Sequence, residues 1–395
     1  MTLNDDALNL HAQKKGKIAV ESTVQINSMH DLALAYSPGV AAPCRAIQAN
    51  PADAYRYTAK SHLVGVVTDG SAVLGLGNIG PQAAMPVMEG KAILFKQFGQ
   101  LDAFPICLDT QNPDNIIKAV QQIAPSFGGI NLEDIASPKC FEIEAALKAK
   151  LAIPVFHDDQ HGTAVIVAAG LINALKLVSK SLNTIKVVLN GPGAAGTAII
   201  KMLQSLGVTE IIAVDQNGIL ESSALGDQPY KKQLAQTTNP HQIQGQLADA
   251  LVAADVFIGV SVAGALSETM IQTMATDPII FALANPVPEI MPEIAQQAGA
   301  KIIATGRSDY PNQINNVLAF PGIFAGALSV RATDINEAMK VAAAYALANY
   351  VTPEVLAVDH IIPDAFEPGI ADTVKAAVAT AAVTSGVAQV REDRV

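Results

Sequence analysis

The stretch Ile185-Lys-Val-Val-Leu-Asn-Gly-Pro-Gly-Ala-Ala-Gly196 decides how this chain folds. IKVVL is a short β-branched run of the kind that forms a buried strand. The glycines at 191, 193 and 196 fit the spacing GxGxxG. Behind them Ile199, Ile200, Leu203 and Leu206 fall on one helical face, and Gly207 closes the run. IIAVD at 211–215 is a second strand ending on an acid. Such glycines permit a tight turn, close approach of a pyrophosphate and close helix–strand packing. The helix N-terminus adds N–H groups and a partial positive charge. A GxGxxG by itself is weak, but this one sits between a strand and a helix, and Asp215 lies about 20 residues on, where an acceptor for a ribose 2′-OH belongs. Gly191, Gly193, Ala194, Ala195 and Gly196 are therefore expected to cradle a dinucleotide. Gln216 and Asn217 follow Asp215 with no Arg or Lys beside them, which favours NAD over NADP. Pro192 removes one N–H from the cradle.

Strand patterns continue outward in the same half: DVFIGV at 255–260, PIIFALA at 278–284 and KIIATG at 301–306. Each ends near Gly, Ser or Asn, where a doubly wound sheet carries its binding loops. Residues 331–390 are rich in Ala at helical spacing and are expected to cover the sheet or pack back on the first half. In that first half HLVGVVTD (62–69) and AFPICLD (103–109) look like strands and GKAILFKQF (90–98) like a helix. Alternating strands and helices give an α/β chain of two domains. A smaller α/β unit is expected over 1–158 and a Rossmann-type, doubly wound unit with C-terminal helices over 159–395.

The bulk numbers narrow the function. With 395 residues, half of them hydrophobic, the chain is globular and long enough for two cores. A net charge of −11 argues against nucleic acid or an anionic membrane as partner. The charge-free stretch 310–330 holds Pro311, Pro321 and three asparagines, a poor membrane span. The first residues show no apolar run behind a basic region, so no signal peptide is expected. Cys44, Cys107 and Cys140 read as reduced thiols, buried as small apolar residues, in a cytoplasmic protein.

Two short acidic segments stand out. Glu133-Asp134 lies in NLEDI, and Asp158-Asp159 in HDDQH after an apparent strand. Such oxygen donors suit Mg²⁺ or Mn²⁺; His157 and His161 would suit zinc, but the carboxylates outnumber them. Surface acids at loop ends read equally well from spacing alone. Lys91, inside an apolar segment, could be a base with a lowered pKa. The residues alone favour a snorkelling lysine at a helix flank. Tyr36, before Ser-Pro-Gly, is by itself a structural tyrosine.

Several longer segments carry a resemblance. AYSPGVA (35–41), VVTDGSAVLGLGNIGPQAAMPVMEGKAILFKQF (66–98), NLEDI (131–135), HDDQHGTA (157–164), ALANPVPEI (282–290) and GRSDYPNQINNVLAFPGIFAGAL (306–328) resemble the malic enzymes in their short bacterial form, in the same order and across nearly the whole chain. The resemblance implies an NAD-dependent oxidoreductase that converts malate to pyruvate and CO₂ with a divalent metal. It implies Tyr36 as general acid and Lys91 as general base, tuned by Asp158. It implies Glu133, Asp134 and Asp159 as metal ligands. Asn285, Asn315 and Asn316 would meet the substrate, Asn285 also the nicotinamide end, and Thr163 would lie near the cofactor. A homodimer or higher even oligomer is implied, with Tyr36 reaching a neighbour's site.

The chain also departs from the family. Longer members carry a substrate-gripping arginine where this one reads Ser71-Ala72-Val73; Pro192 stands where Ala is usual; basic residues are missing after Asp215. A soluble oxaloacetate decarboxylase on the same scaffold is the alternative, and a catalytically silent nucleotide-binding protein a remoter one. A malolactic enzyme is disfavoured because those relatives are considerably longer. The acyltransferase-like C-terminal domain of some bacterial members is not expected.

Overall fold

The computed structural model describes residues 2–221 and 229–390. Two sheets organise it. The first runs β1 (Leu63–Thr68), β2 (Asp102–Cys107), β3 (Gly129–Leu132) and β4 (Val155–His157), all parallel in the order β2-β1-β3-β4. The second has β5 (Lys186–Asn190), β6 (Glu210–Asp215), β7 (Gly218–Ile219), β8 (Val256–Gly259), β9 (Ile279–Ala282) and β10 (Ile302–Thr305), in the order β10-β9-β8-β5-β6-β7. Only β7 is antiparallel there. Strand order reverses between β5 and β8, and the crevice at such a reversal is where doubly wound sheets bind ligands. β1, β5, β8 and β9 are almost wholly buried, as parallel strands covered on both faces must be, while the edge strand β2 is only partly covered.

One helix ties the sheets together. Asp158–Leu177 leaves β4 directly and is apolar nearly all round: Val165, Ile166, Val167, Leu171 and Ala174 are all inaccessible. A helix without a polar face must be buried on every side. It shares one continuous core with Val64 and Val66 of β1 and with Val187 and Leu189 of β5. Residues 158 and 159, where a border is expected, lie inside the first turn of this continuous helix. The helices Glu337–Tyr350 and Ile370–Thr384 add to the same core; the first packs on Asp158–Leu177 and the second reaches Gly80–Gly99 of the first half. A non-helical segment, 351–369, separates them. Phe95, on the helix Gly80–Gly99, packs edge-on against Phe320 and Phe324 at 4.7 and 5.2 Å between ring centres. Truncating so buried a phenylalanine costs about 3–5 kcal/mol.

Two outer cores complete the layers. The helices Pro113–Ile123 and Lys139–Lys150 cover the far face of the first sheet. Short helices around Ala250, Ile271 and Ala295 cover the far face of the second. No helix among the described residues is long and apolar enough to cross a membrane.

Residues 2–63 bury none of their side chains. This arm is tied to the body where Lys17 donates through its N–H to Glu89 Oε2 at 2.8 Å and through Nζ to the Pro86 carbonyl at 2.6 Å. The cysteine expectation is corrected here. Cys140 is buried, but Cys107 is only partly covered and Cys44 is exposed, because Cys44 lies in the arm, which has no core of its own.

Candidate active site

Sheet register gathers the acids. Glu133 and Asp134 follow β3, Asp158 and Asp159 follow β4, and the two strands pair with Leu132 opposite His157. Four carboxylates from two distant segments thus meet at the C-terminal edge of one sheet. Oxygens of Glu133, Asp134 and Asp159 come within 4.8 Å of one another. The Asp134 N–H donates to Asp159 Oδ2 at 2.8 Å, and Asn131 Nδ2 donates to Glu133 Oε2 at 2.7 Å.

Helical spacing delivers the lysine. Ala84, Met88, Lys91 and Phe95 share the buried face of Gly80–Gly99, so Lys91 points into the core and does not snorkel. Only 7% of it is exposed. Its Nζ lies 2.6 Å from Asp158 Oδ2, 3.0 Å from Glu133 Oε1 and 4.3 Å from the centre of the Phe320 ring. Asp158 Oδ2 also accepts from Asn316 Nδ2 at 2.6 Å.

One ammonium stands against Asp158 and Glu133 in a cluster of four carboxylates. Burial pushes Glu133 up to about 7, against the pull of Lys91. Burial likewise pushes Asp158 up to about 7 and Asp159 up to about 6. For Lys91, burial works downward, but Asp158 and Glu133 outweigh it and hold the ammonium well above its ordinary range. The lowering that burial alone would give does not prevail. The cluster is short of positive charge and rich in hard oxygen donors, so Glu133, Asp134 and Asp159 fit a divalent cation.

A cleft of about 660 Å³ runs from this cluster to the second sheet. Asp134 and Asp159 of the acidic cluster and Ala194 and Ala195 of the glycine turn border it, as do Thr163, Ser261, Asn285, Asn315 and Asn316. The glycine turn behaves as its spacing requires. Gly191 has φ +101°, and a side chain there would strike the Val260 carbonyl. One at Gly196 would strike the Gly191 carbonyl. A side chain at Gly193 would meet nothing closer than Ser137 Oγ, 3.9 Å away, so this position is left open on the cleft side. The Gly193 N–H is spent on the Gly191 carbonyl at 2.9 Å, and Pro192 has none. Donors to a pyrophosphate are thereby left to the first turn of the helix Ala194–Ser205.

Three site expectations meet complications. Tyr36 is 68% exposed on the arm and does not border the cleft. Asn315 Oδ1 is occupied by the Val317 N–H at 3.0 Å. Asp215 accepts from the Asn217 N–H at 2.8 Å and pairs with Lys231 Nζ at 2.6 Å. Lys231 was invisible to a reading that looked for cations next to Asp215 in sequence; it arrives from the helix Pro229–Thr237. The Ser71-Ala72-Val73 stretch lies against the loop that follows β3: Ala72 N–H donates to the Asp134 carbonyl, and Ser71 Oγ accepts from Ala136 N–H. The nearby Lys139 is committed to the buried Asp69. Glu144 also escaped the sequence reading, since nothing local marks it.

Comparisons with known proteins agree on one family. The chain matches the malic enzyme N-terminal domain over residues 13–148 and the malic enzyme NAD binding domain over residues 160–385. It is 57% identical over 394 residues to a bifunctional malic/malolactic enzyme of Bacillus subtilis, covering 100% of this chain and 96% of that one. It is 56% identical over 374 residues to the NAD-dependent malic enzyme of Geobacillus stearothermophilus, covering 95% and 78%. The crystal structure of a malic enzyme from Pyrococcus horikoshii superposes with a TM-score of 0.94 at 48% identity, covering 99% and 93%. The Bacillus relative corrects one expectation: a protein named malolactic can have this chain's length, so length does not exclude that activity.

Proposed function

This chain belongs to the malic enzyme family, and from that premise we propose that it oxidises and decarboxylates malate to pyruvate and CO₂ in the cytoplasm, passing the hydride to NAD. The observation that carries the reading is the Lys91 ammonium held between Asp158 and Glu133 beside a three-carboxylate cation site, across one cleft from a dinucleotide turn. Glu133, Asp134 and Asp159 would hold the cation. When bound, Mg²⁺ or Mn²⁺ would fix the substrate and acidify its C2 hydroxyl.

The side chains do the rest. Lys91 takes the proton of the C2 hydroxyl, which requires that it first be neutral. Without a cation its carboxylate neighbours prevent that, so neutralising their charge is part of making the base. Asp158, anchored by Asn316, holds Nζ in one direction. Asn285 and Asn316 border the cleft where substrate carboxylate and nicotinamide would meet.

Tyr36 returns a proton at C3, and it comes from a second copy. The reading rests on the arm: Leu3, Val20, Val24, Met29, Leu34 and Tyr36 are exposed large side chains on a segment with no buried residue. An apolar surface of this kind is covered in a homodimer or a higher even oligomer. Asp215 favours NAD. The Lys231 contact supports a second reading, in which its ammonium masks the Asp215 charge and NADP is also accepted.

Paired assays of the purified protein with Mn²⁺ test the proposal. NADH formation from malate matched by pyruvate is the expected result. Lactate from malate without net NADH would make it malolactic. Rapid CO₂ release from oxaloacetate with negligible NADH would make it a decarboxylase.

A further inference from the structure

Behind the metal ligands lies a second buried acid that the proposed chemistry does not use. Glu144 sits on the helix Lys139–Lys150 and is buried. Its Oε1 accepts from the His157 N–H at 3.3 Å and from His161 Nε2 at 2.8 Å. Its Oε2 accepts from Gln160 Nε2 at 3.3 Å and from His161 Nε2 at 2.9 Å. The donors flank Asp158 and Asp159 in sequence: one residue before the pair, and the two residues after it. Both oxygens of one carboxylate therefore clamp the backbone turn that carries the lysine's partner and a cation ligand.

The clamp extends to the C-terminal helices. Lys340, on Glu337–Tyr350, lies 3.3 Å from His161 Nδ1 and 2.6 Å from Glu337 Oε2. An ammonium can only donate, so Nδ1 is an acceptor and Nε2 carries the proton given to Glu144. His161 is thereby held in one tautomer and one orientation, with its ring 5.4 Å from that of Phe156. Each contact fixes the next, from Glu337 through Lys340 and His161 to Glu144.

We propose that Glu144 is a positioning residue for the cation site: through His157, Gln160 and His161 it holds Asp159 in ligand geometry and Asp158 against Lys91. The proposal rests on the metal-dependent reading above. Glu144 touches neither the lysine nor a proposed ligand, so its effect travels through the turn. Outer partners of this kind typically set metal affinity by about 10–100-fold.

Glu144→Gln tests it, with Mn²⁺ affinity measured by calorimetry on protein free of substrate and dinucleotide. The amide presents a donor to the donating His161 Nε2, so one arm of the clamp fails. Mn²⁺ binding is expected to weaken about 10-fold, with NADH affinity within about twofold of the unaltered chain, since the partners of Glu144 all lie outside the glycine turn. His161→Gln, which can still donate to Glu144, should retain most of the Mn²⁺ affinity; His161→Leu should not. If Glu144→Gln does not fold, the two His161 variants read the same clamp from its other side. A variant that melts lower without metal yet binds Mn²⁺ unchanged would give Glu144 a role in the fold alone and overturn the proposal. Failure of the unaltered chain to bind Mn²⁺ would overturn the metal reading, and the clamp with it.

Discussion

The charged cluster and the glycine turn that border the cleft are built on opposite principles. In the first, charged side chains from the helix Gly80–Gly99 and from two strand ends converge, and the backbone only delivers them. In the second, a contiguous strand, turn and helix present backbone N–H groups, and the side chains matter mainly by being small. A side-chain site gains strength from burial but accumulates charge that must be neutralised. A backbone site carries no such liability, and its weakness is steric: one added methyl group can close it.

That contrast can be broken experimentally. The largest effect is expected for Lys91→Ala. Turnover should fall by about 10²–10⁴-fold, while NADH affinity and folding by circular dichroism stay near those of the unaltered chain. Full activity would remove Lys91 from its assigned role.

Gly193→Ala probes the glycine turn. The added methyl would meet only Ser137 Oγ, at an ordinary contact distance of 3.9 Å, so the melting temperature should hold. NADH binding, followed by fluorescence, should weaken on the order of tenfold because the methyl occupies the pyrophosphate's approach. Mn²⁺ affinity should not move. Equal loss of both affinities would mean that the two sites are not separate.

Acidity should act on the charged cluster only. Glu133 and Asp159 titrate near 7 and 6 in the metal-free chain, above their ordinary values. Raised carboxylates favour the fold below about pH 4 and lose that contribution as pH climbs through 6 to 7. The metal-free protein should therefore melt lower at pH 8 than at pH 5, and Mn²⁺ should reverse the trend. Protons and cation compete, so Mn²⁺ affinity should rise by about tenfold or more between pH 5.5 and 7.5. A flat affinity profile would contradict the shifts.

The smallest effect belongs to Asp215→Ala. The apparent KM for NAD should rise by about three- to tenfold, in line with loss of one charge-assisted hydrogen bond. Because the change also frees Lys231, use of NADP should improve relative to NAD. An unchanged KM would place the ribose elsewhere.

Legibility in the sequence followed the same division. The glycine turn could be read directly, since its strand, turn, helix and acid lie within about thirty consecutive residues and their order is the motif. The strands flanking it were equally plain, being short β-branched runs. The charged cluster was different. Lys91 alone reads as a flank lysine, and only the register of β3 against β4 shows why it meets both Glu133 and Asp158. The family resemblance named its residues where local pattern could not. The Glu144 clamp and the Lys231 contact were not legible at all. Each depends on which helix faces which turn, and neither leaves a periodic or motif-level trace. The exposed Cys44 shows the reverse error: a residue type that is usually buried sits on an arm that has nothing to bury it against.

The helix Asp158–Leu177 has a consequence for the protein's divisibility. Its first turn supplies two acids of the charged cluster, and its shaft is the common wall of both sheets. Split the gene at the 158/159 border and the second fragment would take Asp159 away from the lysine, while the first would keep Asp158 and the lysine and lose its apolar wall. Neither fragment could be traded for another protein's half without rebuilding a cylinder of buried aliphatic contacts. Recombination has easy crossing points where a linker joins finished units. Here the joint is itself an interior part, so the two halves must be inherited, and altered, together.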